Sequence, residues 1–461
     1  MTRRLAIYVA VLAGLAVYLL IWPAWRAQFL IEIWPTEAWN AYFQDAAASG
    51  GRLYPPAEAL IGNNYPPLSF YAIGYLGQLF GDNLFVGRVV SILALLALAV
   101  EIFLAVRILA GGVTGAAVGA LWYAAITAHA SELYIGTNDP QLAGEAIMGA
   151  GLVWFLARDR DRRSALAPLL LMVLAGFWKH NIIAIPLTAV IWLLLRNGKQ
   201  AIRPVLLSTA AAAAGLLLCT AIYGRAFPEN LFATREYSFD HVIGHAGHLQ
   251  WFAIAFLIWA SWAWSARTSA AARFTVLHVA IGLATCLLQW LGHGVGRNAE
   301  FDLVIALGIG VGVAFERIET SLLAQRIGVG PSRDLLLVLL VLRLVVSDRQ
   351  GSALVLLDPE FRTDAYAAEQ TARLDVKRIA DIKGDVFCSN KVVCRAAGKP
   401  FAVDEFKMEE LVATGKKTEA EISALLESRH ITVFKSSDRT TVNVLDTSLS
   451  HAWRGRPRPA S

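Results

Sequence analysis

What most limits the fold open to this chain is the recurrence of apolar runs of near-spanning length. They lie at about 5–25, 88–109, 113–130, 141–157, 165–179, 182–196, 203–223, 251–266, 274–291, 301–316 and 333–347. A helix crossing a bilayer takes roughly twenty apolar residues, so the runs predict a polytopic α-helical membrane protein with about eleven transmembrane helices. Composition agrees: 56% of the 461 residues are hydrophobic and 17% charged, which excludes a soluble globular enzyme of this length. The N-terminal charges precede a long apolar run with no small-residue cleavage site, and predict a retained first helix rather than a removed leader.

Basic residues orient these helices. Arg3 and Arg4, Arg107, and the stretches 158–163, 196–203, 267–273 and 317–333 share one side if 66–80 lies along the interface instead of crossing. That side is expected to be the cytoplasm, with Phe70, Tyr71 and Tyr75 suited to the headgroup region. The outer side of a bacterial inner membrane then receives 26–87, 131–140, 179–181, 224–250, 292–300 and everything after about 348. The excess of five positive charges implies no nucleic acid, since no nucleic-acid motif accompanies it.

After Ser347 the composition turns soluble. Helical 364–382, strand-like GDVFC, a short helix ending at Gly398, strand-like PFAVD, helices at 405–416 and 418–430, and strand-like ITVFK and TVNVL predict a small C-terminal α/β extracytoplasmic domain. The expected divisions are a transmembrane unit 1–347 containing the first outer loop 26–87, the extracytoplasmic unit 348–450, and a disordered tail 451–461. Cys388 and Cys394 are expected to pair on the oxidising side, with two buried thiols as the alternative. Cys219 and Cys286 fall in apolar runs and read as small core residues.

The stretch from Trp34 to Tyr71 is the richest in chemistry. It holds two carboxylates, Glu37 and Asp45, the aromatics Trp39, Tyr42, Tyr54 and Tyr65, and the stiffening Pro55, Pro56, Pro66 and Pro67. Glu37-Ala-Trp-Asn40, then Gly50-Gly-x-Leu-Tyr54, Asn64-Tyr-Pro-Pro-Leu-Ser-Phe-Tyr71 and Phe80-Gly-Asp-Asn-Leu-Phe-Val-Gly-Arg-Val-Val-Ser91 follow in order. This order resembles the start of the GT-C membrane glycosyltransferases, relatives of protein O-mannosyltransferases, aminoarabinose transferases and rhizobial lipopolysaccharide sugar transferases. Asn138-Asp139-Pro140-Gln141 resembles their second outer loop. The resemblance implies a GT-C-like bundle, a polyprenyl-phosphate-linked sugar donor, a glycan or lipid acceptor, and a first-loop catalytic acid, here Glu37.

Glu37 is therefore expected to act as general base toward an acceptor hydroxyl, giving inversion in one step, although read alone it is a solvated loop acid. Asp45, eight residues on, ranks second because two helical turns would bring it to the same face. Asp139 precedes Pro140 and suits a helix cap; the resemblance also makes it an acid near substrate or metal, with Asn138 and Gln141 beside it. Lys179 and His180 sit where one apolar run ends and the next begins, and with Arg297 and Asn298 are expected to hold a phosphate, helix anchoring being the alternative for Lys179. Tyr65 and Tyr71 are expected to line the donor groove.

No metal ligand set is assigned. His241, His245 and His248 fall at i, i+4 and i+7, but Gly244 and Gly247 weaken a helix there, so a divalent metal stays an open requirement. Two rival functions are a flippase moving a lipid-linked sugar and a polysaccharide polymerase or ligase. The flippase predicts charges buried mid-helix and broken helices in paired repeats, and the sequence reads as having neither.

Overall fold

The computed structural model describes residues 3–161, 163–346 and 353–434. The start of the expected second domain, the TVNVL strand and the 451–461 tail lie outside the described residues. In chain order the helices are α1 (Arg3–Arg26), α2 (Pro35–Ser49), α3 (Leu68–Phe80), α4 (Asn83–Ala110), α5 (Val113–Ala130), α6 (Gln141–Arg160), α7 (Leu166–Trp178), α8 (Ala184–Asn197), α9 (Lys199–Tyr223) and α10 (Ala226–Leu231). There follow α11 (Phe239–Ala246), α12 (Ala253–Ser265), α13 (Ala270–Trp290), α14 (Phe301–Glu316), α15 (Leu322–Ile327) and α16 (Val329–Val346). The tail adds α17 (Pro359–Asp381), β1 (Val386–Cys388), α18 (Lys391–Ala396), α19 (Glu405–Ala413), α20 (Glu419–Ser428) and β2 (Thr432–Phe434).

Each of the eleven apolar runs is helical. By length and composition six segments can cross a membrane: α1, α4, α5, α9, α13 and 297–316, which contains α14. The stretch 239–251 and α12 form a pair bent by 74°, a seventh span if counted as one. α7, α8 and α12 have 13, 14 and 13 residues. At 1.5 Å per residue they reach only about 20 Å, short of a bilayer core of about 30 Å. The polar step Lys179-His180-Asn181 is what interrupts the apolar stretch between α7 and α8.

α14 is the centre of the bundle, with 94% of its most apolar stretch buried. Glycines bring it against α5. A Cβ added at Gly115 would lie 2.4 Å from the Gly312 carbonyl oxygen, and one at Gly119 2.4 Å from that of Gly308. Such four-residue glycine spacing on both helices lets the backbones touch where larger residues could not.

One sequence expectation is refined here and another corrected. Glu145, in the second turn of α6, and Asp302, in the first turn of α14, are buried at 0% and 2% exposure, and the α11–α12 break is present, so buried carboxylates stand near helix ends and one helix break occurs, in one place rather than in paired repeats among the described residues. Each carboxylate has one partnered oxygen: Gln141 donates to Glu145 Oε1 at 3.0 Å, and the Ala184 N–H to Asp302 Oδ2 at 3.3 Å. The correction concerns PFAVD, which forms no strand. It docks as extended chain on the first loop, where the Asp404 N–H donates to the Leu60 carbonyl at 2.9 Å and Phe401 stacks on Tyr42. The tail helices and the two short strands form near the expected places, β1 and β2 pairing in parallel. Cys388 and Cys394 are disulfide-bonded.

Candidate active site

Pro35 starts α2, and three residues in, Glu37 turns inward to 0% exposure. It meets Arg88, two turns into α4. The Arg88 Nε donates to Glu37 Oε2 at 2.9 Å and Nη2 to Oε1 at 2.5 Å, while the Ile33 N–H donates to Oε1 at 2.7 Å. The other guanidinium hydrogens go to the carbonyls of Ala27, Phe29 and Ile31. Arg88 thus ties the loop between α1 and α2 to the bundle. Glu37 also holds the next site element: Asn138 donates its N–H to Glu37 Oε2 at 3.5 Å and its amide to the Glu37 carbonyl at 3.3 Å. With all four lone-pair directions of its carboxylate met, Glu37 has none left for an acceptor hydroxyl in this arrangement.

Asp45 does not share that face. Eight residues at 3.6 per turn leave it about 80° away, and its carboxylate accepts from Asn83 at 2.8 Å and from Arg395 of the tail at 2.7 and 2.9 Å.

The 131–140 loop is held by α2, because Asn40 donates to the Asn138 carbonyl at 2.9 Å and Gln44 to its side-chain oxygen at 2.9 Å. Asp139 stands one residue before Pro140, which takes the cap position of α6, and its Oδ1 accepts the Gln141 N–H at 2.8 Å. The same oxygen accepts from Lys179 Nζ at 2.9 Å, and Oδ2 has no hydrogen-bond partner among the described residues. Lys179 is 1% exposed and its ammonium lies 4.5 Å from the centre of the Tyr65 ring. Burial pushes the Lys179 pKa down, but the Asp139 carboxylate and Tyr65 outweigh it and hold the ammonium above its ordinary value. His180 follows, its ring 6.3 Å from Tyr65. Burial, then the charges of Lys179 and Arg235, lower His180 to about 4, so it is neutral near pH 7.

An apolar cavity of about 370 Å³ opens beside this pair. Pro66 and His180 border it, and Met172, Phe177, Ile183 and Leu216, among others, line it between α7, α8 and α9. Aromatic packing orients Tyr65, next to Pro66: Trp39 meets it edge-on at 5.1 Å and donates its indole N–H to Asp404 Oδ2 at 3.1 Å. Tyr71 packs on the same aromatic cluster as Tyr65 and Trp39, its hydroxyl 3.2 Å from that of Tyr223.

Asn298 accepts from the Tyr134 hydroxyl at 3.1 Å and donates to Gln141 Oε1 at 3.5 Å, which brings Asn298 and Gln141 together. Arg297 Nη1 donates to the Ala130 carbonyl at the end of α5. The three histidines do not converge: His241 faces His293, whereas His245 and His248 pack against Trp290. Among the described residues no three His, Cys, Asp or Glu side chains are grouped to hold a metal ion.

Sequence reasoning missed two cations. Arg88 was quoted only as part of a motif, though an arginine two turns into an apolar helix signals a buried partner. Arg235, in the loop before α11, has no hydrogen-bond or ion-pair partner among the described residues. Its guanidinium lies 5.4 Å from the Phe406 ring, and its charge reaches His180.

Residues 64–223 match the family of dolichyl-phosphate-mannose-protein mannosyltransferases, less than half of the chain. The fold is similar to that of ArnT from Cupriavidus metallidurans bound to undecaprenyl phosphate, at a TM-score of 0.55 and 15% identity, covering 93% of this chain and 89% of that one. The apo form of the same ArnT matches at 0.55 and 14%, covering 91% and 90%. No curated protein matches by sequence. The GT-C resemblance read from the first loop is borne out, and the family match with the fold indicates a glycosyltransferase.

Proposed function

We propose that this protein is an inverting glycosyltransferase that moves a sugar from a polyprenyl-phosphate donor to an envelope glycan or lipid at the outer face of the inner membrane. The observation that carries the reading is a buried ammonium, Lys179, next in the chain to His180, which borders an apolar cavity between α7, α8 and α9. That pairing suits an amphiphile with an anionic head and a long hydrocarbon tail, and ArnT of similar fold binds undecaprenyl phosphate.

In this reading the prenyl chain lies in the α7–α9 cavity and its phosphate engages Lys179 and Arg235. His180 stays neutral and donates a hydrogen bond. The acceptor oxygen attacks the anomeric carbon as the bond to the phosphate oxygen breaks, so the leaving prenyl phosphate takes the electron pair and the configuration inverts. The acceptor proton passes to Asp139 Oδ2, the carboxylate oxygen without a donor. Lys179 moves from Asp139 toward the phosphate as its charge grows, which frees Asp139 to take that proton. Glu37, saturated by Arg88 and Ile33, holds Asn138 and so sets where Asp139 points.

A test uses protein reconstituted in liposomes with a radiolabelled polyprenyl-phosphate sugar and an envelope lipid extract. Label in the extract, lost in Asp139→Asn while prenyl phosphate is still retained by the protein in native mass spectrometry, supports the reading. Transfer unaffected by Asp139→Asn and Lys179→Met overturns it. A second reading, translocation of the lipid-linked sugar without a new bond, draws on the buried Glu145 and Asp302. It predicts label crossing the bilayer with none reaching the acceptor.

A further inference from the structure

We infer that Arg395, on the tail, is a positioning residue for this active site, and that the Cys388–Cys394 disulfide is what presents it. The inference rests on the transfer reading above for its kinetic consequence, and on geometry for the clasp itself.

α2 and α4 contribute the two halves of the Glu37–Arg88 pair, which joins them on the inside. Arg395 joins the same two helices at their rim. Its Nε and Nη2 donate to the two oxygens of Asp45 on α2 at 2.7 and 2.9 Å, and its Nη1 to those of Asp82 at 3.1 and 2.9 Å. Nη2 also donates to the Asn83 side chain. Asp82 is the cap of α4, its Oδ1 accepting the Leu84 N–H at 2.8 Å. One guanidinium thus bridges two carboxylates that would otherwise repel across the α2–α4 junction.

Exposed ion pairs are weak, but a planar fork engaged bidentately, as Nε and Nη2 are on Asp45 while Nη1 serves Asp82, is the strong form of the interaction. Arg395 is also sheltered, with 13% of its side chain exposed against 47% for Asp45 and 55% for Asp82. There is no slack beside the junction. A Cβ on Gly77 of α3 would fall 2.6 Å from the Asn83 Cβ, so α3 already rests on the first turn of α4.

The consequence reaches the chemistry through α2. Asn40 and Gln44 hold Asn138, the residue before Asp139. If α2 is free to shift, the proposed base loses its aim, whereas Lys179, Arg235 and the apolar cavity that bind the donor belong to other elements.

Arg395 itself stands on α18, six residues long and too short to persist alone. Two ties fix that helix. The Asn390 side chain caps it, accepting from Val392 and Val393, and the residue next to Arg395, Cys394, is bonded to Cys388 at the end of β1. A dithiol reductant would convert the disulfide to two thiols with two electrons and two protons, becoming a cyclic disulfide itself, and would release one of the two ties.

The experiment combines kinetics with backbone hydrogen exchange on the full-length protein in detergent. Arg395→Gln is expected to lower turnover on the order of tenfold with donor KM unchanged, and Arg395→Lys, a point charge without the fork, to restore only part of it. In an Asp45→Asn/Asp82→Asn background the Arg395→Gln change should have no further effect. Exchange should quicken in α2 and the first turn of α4, not in α5 or α14. The same pattern is expected for Cys388→Ala/Cys394→Ala and for dithiol-treated wild type. Full turnover in Arg395→Gln, additive effects in the triple variant, or unaltered exchange in α2 each overturn the inference. Should the wild type transfer no sugar, the proposed function fails, and the exchange pattern alone decides the clasp.

Discussion

Two buried ion pairs meet at Asn138 and Asp139, and they are built to opposite ends. In the Glu37–Arg88 pair every donor and acceptor is matched, five hydrogen bonds from the guanidinium and two further backbone N–H groups, of Ile33 and Asn138, on the carboxylate. In the Asp139–Lys179 pair one bond joins the partners, the ammonium rests on the Tyr65 ring, and one carboxylate oxygen is open. A saturated pair can only hold things in place. An unsaturated one beside an apolar cavity has valence left for a ligand, and removing charges from water to leave them half-partnered is costly unless something else is meant to bind.

The comparison breaks most sharply in turnover. Asp139→Asn keeps an acceptor for the Gln141 N–H but cannot accept a proton, and general-base loss costs roughly a hundredfold to ten-thousandfold. Single-turnover transfer per folded enzyme should fall by that factor with donor retention intact. Glu37→Gln should instead read out as instability. It leaves Arg88 buried against a neutral partner, at a cost of about 3–5 kcal/mol, visible as a lower melting temperature, with turnover per folded molecule near wild type. If Glu37→Gln melts normally and loses transfer a hundredfold, the two pairs have exchanged roles.

A smaller effect separates the donor contacts. Arg235→Gln removes a cation that no other side chain occupies, and should raise donor KM about tenfold with little change in melting, as befits a partly exposed contact to an anionic group. A melting change without a KM change would make Arg235 a structural residue.

The smallest expected effect concerns pH at the Trp39 contact. Burial, against the opposing charge of Lys391, raises Asp404 to about 6 from an ordinary 3.8. The folded state therefore holds a proton that the unfolded state has released, and stability falls as pH rises from about 4 to about 6, then levels off. Asp404→Asn should flatten that slope in a melting series while keeping the bond to the Trp39 indole. A slope that persists in the variant assigns the titration elsewhere.

Much of the frame was legible because membrane helices announce themselves. The apolar runs became helices, and Asp139 before Pro140 accepts the first N–H of α6, because both follow from short-range pattern. Lys179 was legible by its cost at the end of an apolar run. The pairings were not. Nothing local to Glu37 names Arg88, 51 residues away, and the Asp45 carboxylate reads as a second base until Arg395 is found upon it. PFAVD reads as a strand because it is extended and apolar, yet its partner is the first loop, which no local pattern names. Glu145 and Asp302 were overlooked because a single carboxylate barely dents the hydropathy of a long run.

The Arg395 contact closes a loop of 350 residues, from α2 near the start of the chain to α18 near its end. That distance sets an order of events in synthesis. Every helix of the bundle can enter the bilayer before α18 exists, so during translation the first loop is bordered by membrane helices but not yet clasped. The site is completed only when α18, which follows the bundle in the chain, has emerged. A polypeptide cut short after the bundle would hold the groove and both ion pairs' residues without the piece that aligns them, and so would be able to receive the lipid before it could act on it.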